Sequence, residues 1–223
     1  NIAPVNLPLD IAYEDDDIIV INKPFDMPAH PSAGNHDNTL ANALMYYYGS
    51  QNKPFVYRCI NRLDRDTTGL TIVAKHALAG GILGNAVAKR AIHRTYYAVC
   101  SGCTPACMRI SAPIARKDAS TIERCVDFKR GENAVTDFIR IKYNPDNNLS
   151  LVKLRLLTGR THQIRVHMKY IGFPLIGDFL YNPDYTYISR QALHSGRLVF
   201  THPVTGQKMN LISDIPSDMK SLF

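Results

Sequence analysis

A short apolar run, Leu70 to Ala74, directly follows a stretch in which charged and apolar residues alternate. The run is rich in β-branched residues and predicts a buried strand. The preceding stretch, 61–69, carries four charged residues and ends in Thr-Thr-Gly, a pattern that fits neither a regular helix nor a regular strand. We therefore expect Asp64 to lie in a loop that a rigid strand holds at the edge of the core, a common position for reactive groups.

The charges around Asp64 suggest two interpretations. Arg62 and Arg65 flank it, and nearby positive charge favours the ionised form of a carboxyl group. An ionised carboxylate can act as a nucleophile or as a general base. The same residues also fit a surface cluster of ion pairs that shapes a turn.

Length and composition are typical of a globular protein. The 223 residues, 45% hydrophobic and 20% charged, are enough for one domain with a sizeable core. No apolar run approaches the length of about 20 residues that spans a bilayer. We expect no membrane-spanning segment and, since no secretory signal is visible, a cytoplasmic location. The chain opens on Asn1 rather than Met, so the sequence leaves open whether another segment precedes it.

Lysine and arginine outnumber acidic residues by 26 to 19, which gives a net charge of +7. This excess suits a polyanionic partner, although a basic protein without such a partner has the same balance.

The odd number of cysteines, five, predicts free thiols in a reducing compartment. The spacing of Cys100, Cys103 and Cys107 raises the question of a metal site, but no fourth ligand is evident nearby. The other interpretation of this segment is the end of a strand followed by a turn.

Residues 62–70, Arg-Leu-Asp-Arg-Asp-Thr-Thr-Gly-Leu, resemble the catalytic motif of RluA-type pseudouridine synthases. Further segments match the family in the same order, from about Tyr13 to Pro216, and the ordered set is specific where one block could be chance. These segments are 22–24, 158–167, 177–181 and 192–194. Two positions depart from the pattern: Asn61 replaces the usual His and loses any titratable role, and Thr68 replaces the usual Ser and keeps the hydroxyl.

Many short strands and few helices predict an α+β domain built around an antiparallel sheet. The resemblance implies the pseudouridine synthase fold, with a mixed, mainly antiparallel central sheet, flanking helices and a central catalytic cleft. Residues 1–223 are expected to form a single catalytic domain, with residues 1–10 as an extended arm. The S4-like domain that is frequent in the family has no counterpart in these residues, so the catalytic domain is expected to bind RNA largely by itself.

Local patterns predict the elements that carry the motifs. Three helices are expected: one that Thr39 caps, one over 77–90, and one over 162–170 that Thr161 caps. The main strands are expected over 18–21, 70–74, 96–99, 134–141, 149–157, 192–194, 198–200 and 208–211. Residues 103–132 look like an inserted hairpin region with many basic side chains.

The resemblance implies three catalytic residues: Asp64, Arg165 and Tyr96. Arg165 is expected to pair with Asp64, because a bidentate guanidinium orients a carboxylate and keeps it ionised. The Tyr96 ring is expected to pack on the target base; Tyr97 is the competing assignment and faces the other side of the strand.

The residues expected to bind RNA are Arg62, Lys23, Arg160, His162, Gln163 and His194. Arg62 is a candidate to fill the gap that a flipped base leaves, and a phosphate contact is the other interpretation. The spacing of His162 and His167, five residues apart, does not suit a shared metal face on a helix.

The resemblance implies that specific uridines are isomerised to pseudouridine in structured ribosomal or transfer RNA. The N1–C1′ bond breaks, the base turns, and C5 bonds to C1′; bonds broken and formed balance, so no cofactor and no metal is expected. We also expect a monomer. The target base must leave the stack. Asp64 would act either as a nucleophile at C1′ or C6 or as the base that removes the C2′ proton.

Two other classes of function remain open from the sequence. One is an RNA-binding module without catalysis. The other is a hydrolase that cuts the N-glycosidic bond of RNA, for which Asp66 or Asp178 would supply the second carboxylate that activates water.

Overall fold

The computed structural model of the chain describes residues 2–32 and 34–223. In chain order its elements are β1 (Ile11–Glu14), β2 (Ile18–Lys23), α1 (Leu40–Gly49), β3 (Thr68–Ala74), α2 (Ala77–Ala88), β4 (His93–Ser101), β5 (Cys107–Ser111), β6 (Ile114–Arg116), β7 (Arg124–Val126), β8 (Val135–Asn144), β9 (Leu149–Leu156), α3 (Gln163–Tyr170), β10 (Leu193–Thr201), β11 (Lys208–Ile212) and α4 (Ser217–Lys220). Across the described residues, many short strands with four helices confirm the predicted α+β class. None of the helices in this part of the chain has the length and apolar character needed to cross a membrane.

The chain divides into two compact units. The first unit comprises Asn1–Ile92 and Ser195–Ser213, and the second comprises His93–His194 and Asp214–Phe223. The assignment of residues 1–223 to a single catalytic domain stays a prediction.

The first unit is built on a sheet whose strand order is β1, β2, β3, β10, with β11 paired to β10. Antiparallel pairing of β2 with β3 sets Ile21 opposite Thr71. Apolar side chains cover both faces of these two strands. On one face, Val20 and Ile72 pack with Leu83 of α2. On the other face, different residues of the same two strands pack with α1. Burial on both faces explains why β2 and β3 are continuous apolar runs rather than alternating ones.

The helices of the first unit begin where polar caps were expected or available. Thr39 caps α1 and forms a capping box with Asn42, which confirms the prediction. His76 caps α2 through a hydrogen bond from the Ala79 amide at 3.2 Å. The helix predicted over 77–90 is thus confirmed, although it ends two residues early.

Residues 2–10, assigned to an extended arm, have no regular secondary structure, and Leu7 and Leu9 pack against the cluster that includes residues of α1. The Val5 amide donates to the Asn42 carbonyl at 3.1 Å, and Asn42 Nδ2 donates to the Ala3 carbonyl at 2.7 Å. Asn1 of the predicted arm lies outside the described residues.

The second unit is built on an antiparallel sheet of order β4, β9, β8, β5. The hairpin of β8 and β9 confirms the prediction, with β8 extending three residues further than expected. The predicted hairpin region 103–132 needs one correction. Its first part, β5, is the edge strand of this sheet, and only β6 and β7 form a separate hairpin. The late segments 192–194 and 198–200 fall on one strand, β10, which begins at Leu193.

The start of α3 also differs from the prediction. His162, not Thr161, occupies the N-cap position, and it adopts a left-handed conformation with φ of 56° and no side-chain cap. Gly172, with φ of 86°, follows the last turn as expected.

Candidate active site

The loop before β3 carries Asp64 and is held at its main chain. The Thr67 amide donates to the Asp64 carbonyl at 3.1 Å, and the Met27 amide donates to the Arg65 carbonyl at 3.3 Å. Lys23 Nζ donates to the same Arg65 carbonyl at 2.9 Å. The loop conformation is therefore set by main-chain contacts, while Asp64 itself stays partly exposed.

Lys23 was expected to bind RNA, but its side chain lies inside the protein. Only 1% of the residue is exposed, and the ammonium group also donates to the Pro24 carbonyl at 2.7 Å. A buried ammonium group needs such acceptors, because an unpaired charge in the interior is costly. The position of Lys23 links β2 to the Asp64 loop.

The arginines of the loop have different surroundings. Arg65 pairs with Asp66, its Nη2 lying 3.1 Å from Oδ2, and lies 3.8 Å from an oxygen of Asp26. Arg62 is exposed. Burial, together with the charge of Arg62, lowers the pKa of His30.

Arg165 lies on α3 in the second unit and is 2% exposed. Its Nε and Nη2 atoms donate to the two carboxylate oxygens of Asp178 at 2.7 and 2.8 Å. The rings of Tyr181 and Phe179 lie near the guanidinium, with centroids at 5.0 and 5.5 Å. A bidentate pair flanked by aromatic rings fixes both the plane and the direction of the guanidinium.

Asp178 is the partner of Arg165, and the sequence did not predict this pairing. Asp178 was expected only as a possible second carboxylate of a hydrolase, whereas the structure buries it completely against Arg165. Its Oδ1 also accepts from the Leu180 and Tyr181 amides at 3.0 and 3.2 Å. The Gly-Asp pair within the 177–181 motif was the available signal.

Gln163, expected to bind RNA, is buried and uses its amide inside the protein. Its Oε1 accepts from Thr158 Oγ1 at 2.7 Å and from the Arg160 amide at 3.0 Å. Its Nε2 donates to the Val135 carbonyl at 3.0 Å and to Thr136 Oγ1 at 2.9 Å. These four bonds use its full capacity and hold the turn that precedes α3.

The same network fixes the tautomer of His167. Because a carbonyl only accepts, His167 Nε2 carries the proton that it shares with the Ala112 carbonyl at 2.9 Å. Nδ1 then accepts from Thr136 Oγ1 at 2.9 Å. Burial lowers the pKa of His167, so the neutral ring is the form that this network holds.

The N-terminal end of α3 is more accessible. His162 is half-buried, and its Nδ1 hydrogen-bonds the Tyr181 hydroxyl at 2.9 Å. Burial raises the pKa of Tyr181 to about 12, and its hydroxyl also accepts from the Arg124 amide at 2.9 Å. Arg160 is exposed, pairs with Glu132, and donates to the Asn133 carbonyl at 3.2 Å.

Tyr96 and Tyr97 point to opposite faces of β4, as the alternation predicts. Tyr97 packs with Val99 in an apolar cluster of the second unit, whereas Tyr96 is buried and pairs across the sheet with Leu154. His194, near the start of β10, is 1% exposed.

Among residues 2–32 and 34–223, the cluster with a spacing suited to a metal ion is Asp15, Asp17 and His202. His202 Nδ1 accepts from the amides of Val204 and Thr205 at 3.3 and 3.1 Å. Its Nε2 therefore carries a proton and donates to Asp15 Oδ2 at 2.8 Å. These contacts describe a hydrogen-bonded cluster rather than a set of open ligands.

The cysteine spacing does not build a metal site in this part of the chain. All five cysteines are free thiols. Cys100 is buried in β4, and Cys103 and Cys107 are exposed. The segment agrees with the interpretation of a strand end followed by a turn.

Comparison with known proteins now defines the class. The family model of RNA pseudouridylate synthases matches residues 17–170. A human protein named RNA pseudouridylate synthase domain containing 1 has a similar solved structure, with a TM-score of 0.77 and 26% identity, covering 93% of this chain and 83% of that one. The chain belongs to the RNA pseudouridine synthases, enzymes that isomerise uridine to pseudouridine in RNA.

Curated relatives narrow the class to the RluA type. A ribosomal large subunit pseudouridine synthase D from Zymomonas mobilis is 38% identical over 237 residues, which cover 99% of this chain and 73% of the relative. One of the same name from Haemophilus influenzae is 42% identical over 232 residues, covering 98% and 71%. The expected RluA-type family, fold class and enzymatic reaction are confirmed.

Proposed function

We propose that Asp64 is the catalytic carboxylate of this synthase. The observation that carries the proposal is the Asp64 loop, whose main chain is fixed by Lys23, Met27 and Thr67 while the carboxylate remains partly exposed. A reactive group that is held in place before the substrate binds loses little freedom in the reaction. Such a carboxylate suits either role, nucleophile or base.

We further propose that Arg165 orients Asp64. Asp178 occupies the Nε–Nη2 edge of the guanidinium, and the planar fork has a second edge formed by Nη1 and Nη2. The expected ion pair with Asp64 would use that second edge, with N–O distances of about 2.7–3.2 Å. The Tyr96 ring would pack on the target uracil.

Isomerisation is favoured over hydrolysis because the candidate second carboxylates are engaged. Asp178 is fully buried and bonded to Arg165. Asp66 accepts from Arg65 Nε and Nη2 at 3.1–3.3 Å. A hydrolase needs a carboxylate that can activate water, whereas Asp178 is enclosed and Asp66 is held in an ion pair. A binding module without catalysis is disfavoured by membership of an enzyme family.

The proposed substrate is structured ribosomal RNA, which the names of the curated relatives favour over transfer RNA. The target base would be flipped out of its stack, at a cost of a few kcal/mol. We propose that the enzyme acts as a cytoplasmic monomer without a cofactor. Exposed Arg62 and Arg160, with His162, are the proposed RNA contacts; Arg62 fills the gap of the flipped base or contacts a phosphate.

Three of the residues expected to bind RNA have buried side chains. For Lys23 and Gln163 we propose a positioning role, because their polar groups bond to main-chain and side-chain atoms of the loops they hold. His194 is buried in β10, and its contact with RNA stays a prediction.

The test is the release of tritium from RNA labelled at C5 of uracil, since the C5–C1′ bond expels the hydrogen on C5. Asp64→Asn keeps the size of the side chain but removes its charge, nucleophilicity and basicity. We expect this variant to fold, to bind RNA with an affinity close to that of the natural protein, and to release tritium only at background level.

The matched control is Asp66→Asn, which removes a carboxylate two residues away together with its solvent-accessible ion pair to Arg65. It should retain substantial release. Normal turnover by Asp64→Asn, or loss of release in Asp66→Asn alone, would show that the wrong carboxylate was chosen. Loss of labelled uracil from the RNA would indicate hydrolysis.

A further inference from the structure

The segment before the Asp64 loop pairs with β3 as a short antiparallel ladder. The Ala74 amide donates to the Arg58 carbonyl at 2.9 Å, and the Ile60 amide donates to the Ile72 carbonyl at 2.8 Å. Cys59 bridges to Val73 between these two bonds. The main chain thus follows β3 up to residue 60.

At Asn61 a side chain replaces the main chain in this ladder. In a regular antiparallel pair the Ile72 amide would donate to the Ile60 carbonyl, and the Leu70 carbonyl would accept from the Arg62 amide. Instead, the Ile72 amide donates to Asn61 Oδ1 at 2.8 Å, and Asn61 Nδ2 donates to the Leu70 carbonyl at 3.2 Å. The carboxamide supplies one acceptor and one donor, which are the two groups that the departing main chain withdraws.

The surroundings make the Asn61 amide hard to replace. Asn61 is 4% exposed, and Leu70 and Ile72 are fully buried. Thr71 Oγ1 donates to the Asn61 carbonyl at 2.7 Å and fixes its main chain. The Leu70 carbonyl also accepts from Ser195 Oγ at 3.1 Å, so the Ile72 amide is the group that depends most on Asn61.

We infer that Asn61 is a positioning residue: it sets the point at which the main chain leaves β3, and thereby places Arg62 and Asp64. The inference rests on the proposed catalytic role of Asp64. A displacement of about 1 Å at a reacting group can lower the rate about a hundredfold. Asn61 has no titratable group, so it acts through hydrogen-bond geometry and not through proton transfer.

Two substitutions test this geometry with opposite pH dependence. In Asn61→Asp the ionised side chain has only acceptors and sets an oxygen against the Leu70 carbonyl, whereas the protonated form reproduces the amide pattern. Its kcat, relative to the natural enzyme at each pH, should rise as the pH falls. In Asn61→His the neutral ring has one donor and one acceptor, whereas the protonated ring has only donors. Its relative kcat should fall as the pH falls. In each of the two variants the relative kcat should change by about tenfold or more.

Hydrogen exchange provides a readout that does not involve activity. In Asn61→Ala the Ile72 amide should exchange about tenfold faster or more, while the Ala74 amide, which donates to Arg58, should keep its rate. If Asp64 is not the catalytic group, this exchange result will persist while the opposite pH profiles of kcat disappear. The failure of the catalytic proposal is thus separable from the failure of this one.

Several outcomes would overturn the inference. One is an Ile72 amide that exchanges equally in the natural protein and in Asn61→Ala. Another, in variants that fold, is a pair of relative kcat profiles that do not diverge with pH although Asp64→Asn is inactive. A third is loss of folding in both Asn61→Asp and Asn61→His at every pH, because each has a protonation state with the donor and acceptor that the site requires.

Discussion

Gly69 lies where the Asp64 loop joins β3, and no other residue type fits there. Its φ is +107°, and a Cβ atom built on it would lie 2.3 Å from the carbonyl oxygen of Ser195. A backbone carbonyl cannot move aside as the end of a flexible side chain can. The motif glycine is therefore required both by its conformation and by the close approach of β10.

We predict that Gly69→Ala lowers the free energy of unfolding by at least about 2 kcal/mol, since it adds backbone strain to a steric clash. Urea denaturation measures the change. The matched control is Gly81→Ala in α2, where no atom beyond the adjacent residues and the local helix backbone lies within 4 Å of the new Cβ. That substitution should raise stability by about 0.5–1 kcal/mol. Equal effects of the two substitutions would contradict the packing at Gly69.

Residues of the site differ in how far the sequence alone could define them. The apolar run after the charged stretch was sufficient to place Asp64 in a loop before a buried strand. The pairing of Arg165 with Asp178 could not be inferred, because it joins α3 to a turn and leaves no periodic signal. Burial of Lys23 was also missed, since a lysine after an apolar strand has the same local pattern whether it is inside or outside.

At the scale of elements, α3 shows how tertiary contacts override a local rule. Thr161 has the chemistry of a helix cap, but the Gln163 side chain bonds to the Arg160 amide and to Thr158 and draws the turn inward. His162 then takes the left-handed conformation at the N-cap position. Helix caps are local and predictable; a buried network that reaches from α3 to β8 is not.

The buried His167 of α3 predicts a pH dependence of stability. Burial lowers its pKa in the folded state, so the unfolded chain binds the proton first as the pH falls below about 6.5. The free energy of unfolding should therefore fall below that pH and level off once the pH passes the folded-state pKa. Urea denaturation between pH 7.5 and pH 5 measures the slope.

His167→Gln is the comparison for this slope. Its amide can donate to the Ala112 carbonyl and accept from Thr136 without titrating. The variant should lose the part of the pH dependence that His167 contributes, while the slope caused by other groups remains. An identical slope in both proteins would show that His167 does not carry it.

At the scale of the whole molecule, the net charge of +7 predicts how RNA binding responds to salt. Contacts to phosphates release counterions, so log affinity should fall with log salt by about 0.7 per contact on single strands. Filter binding over a range of salt concentrations measures this slope. DNA of the same sequence should be a poor substrate, because the 2′-hydroxyl distinguishes RNA. A flat salt dependence would contradict engagement of the RNA backbone by the basic residues.

The fold class was predictable from the whole chain, because strand-length apolar runs and few helices define an α+β protein. The division into units was not, since it depends on which distant strands pair. The run that forms β10 has the same local pattern wherever it pairs, yet residues 195–213 complete the first unit after more than a hundred intervening residues.

This discontinuity sets the order in which the protein can mature on the ribosome. The Gly69 backbone, which adjoins the Asp64 loop, packs against Ser195, a residue synthesised 126 positions later. The packing at Gly69 therefore cannot form until Ser195 has been synthesised, and the second unit includes residues 214–223, which follow the whole of the first unit. A nascent or truncated chain that stops before Ser195 would carry the motif residues without the backbone that packs against Gly69.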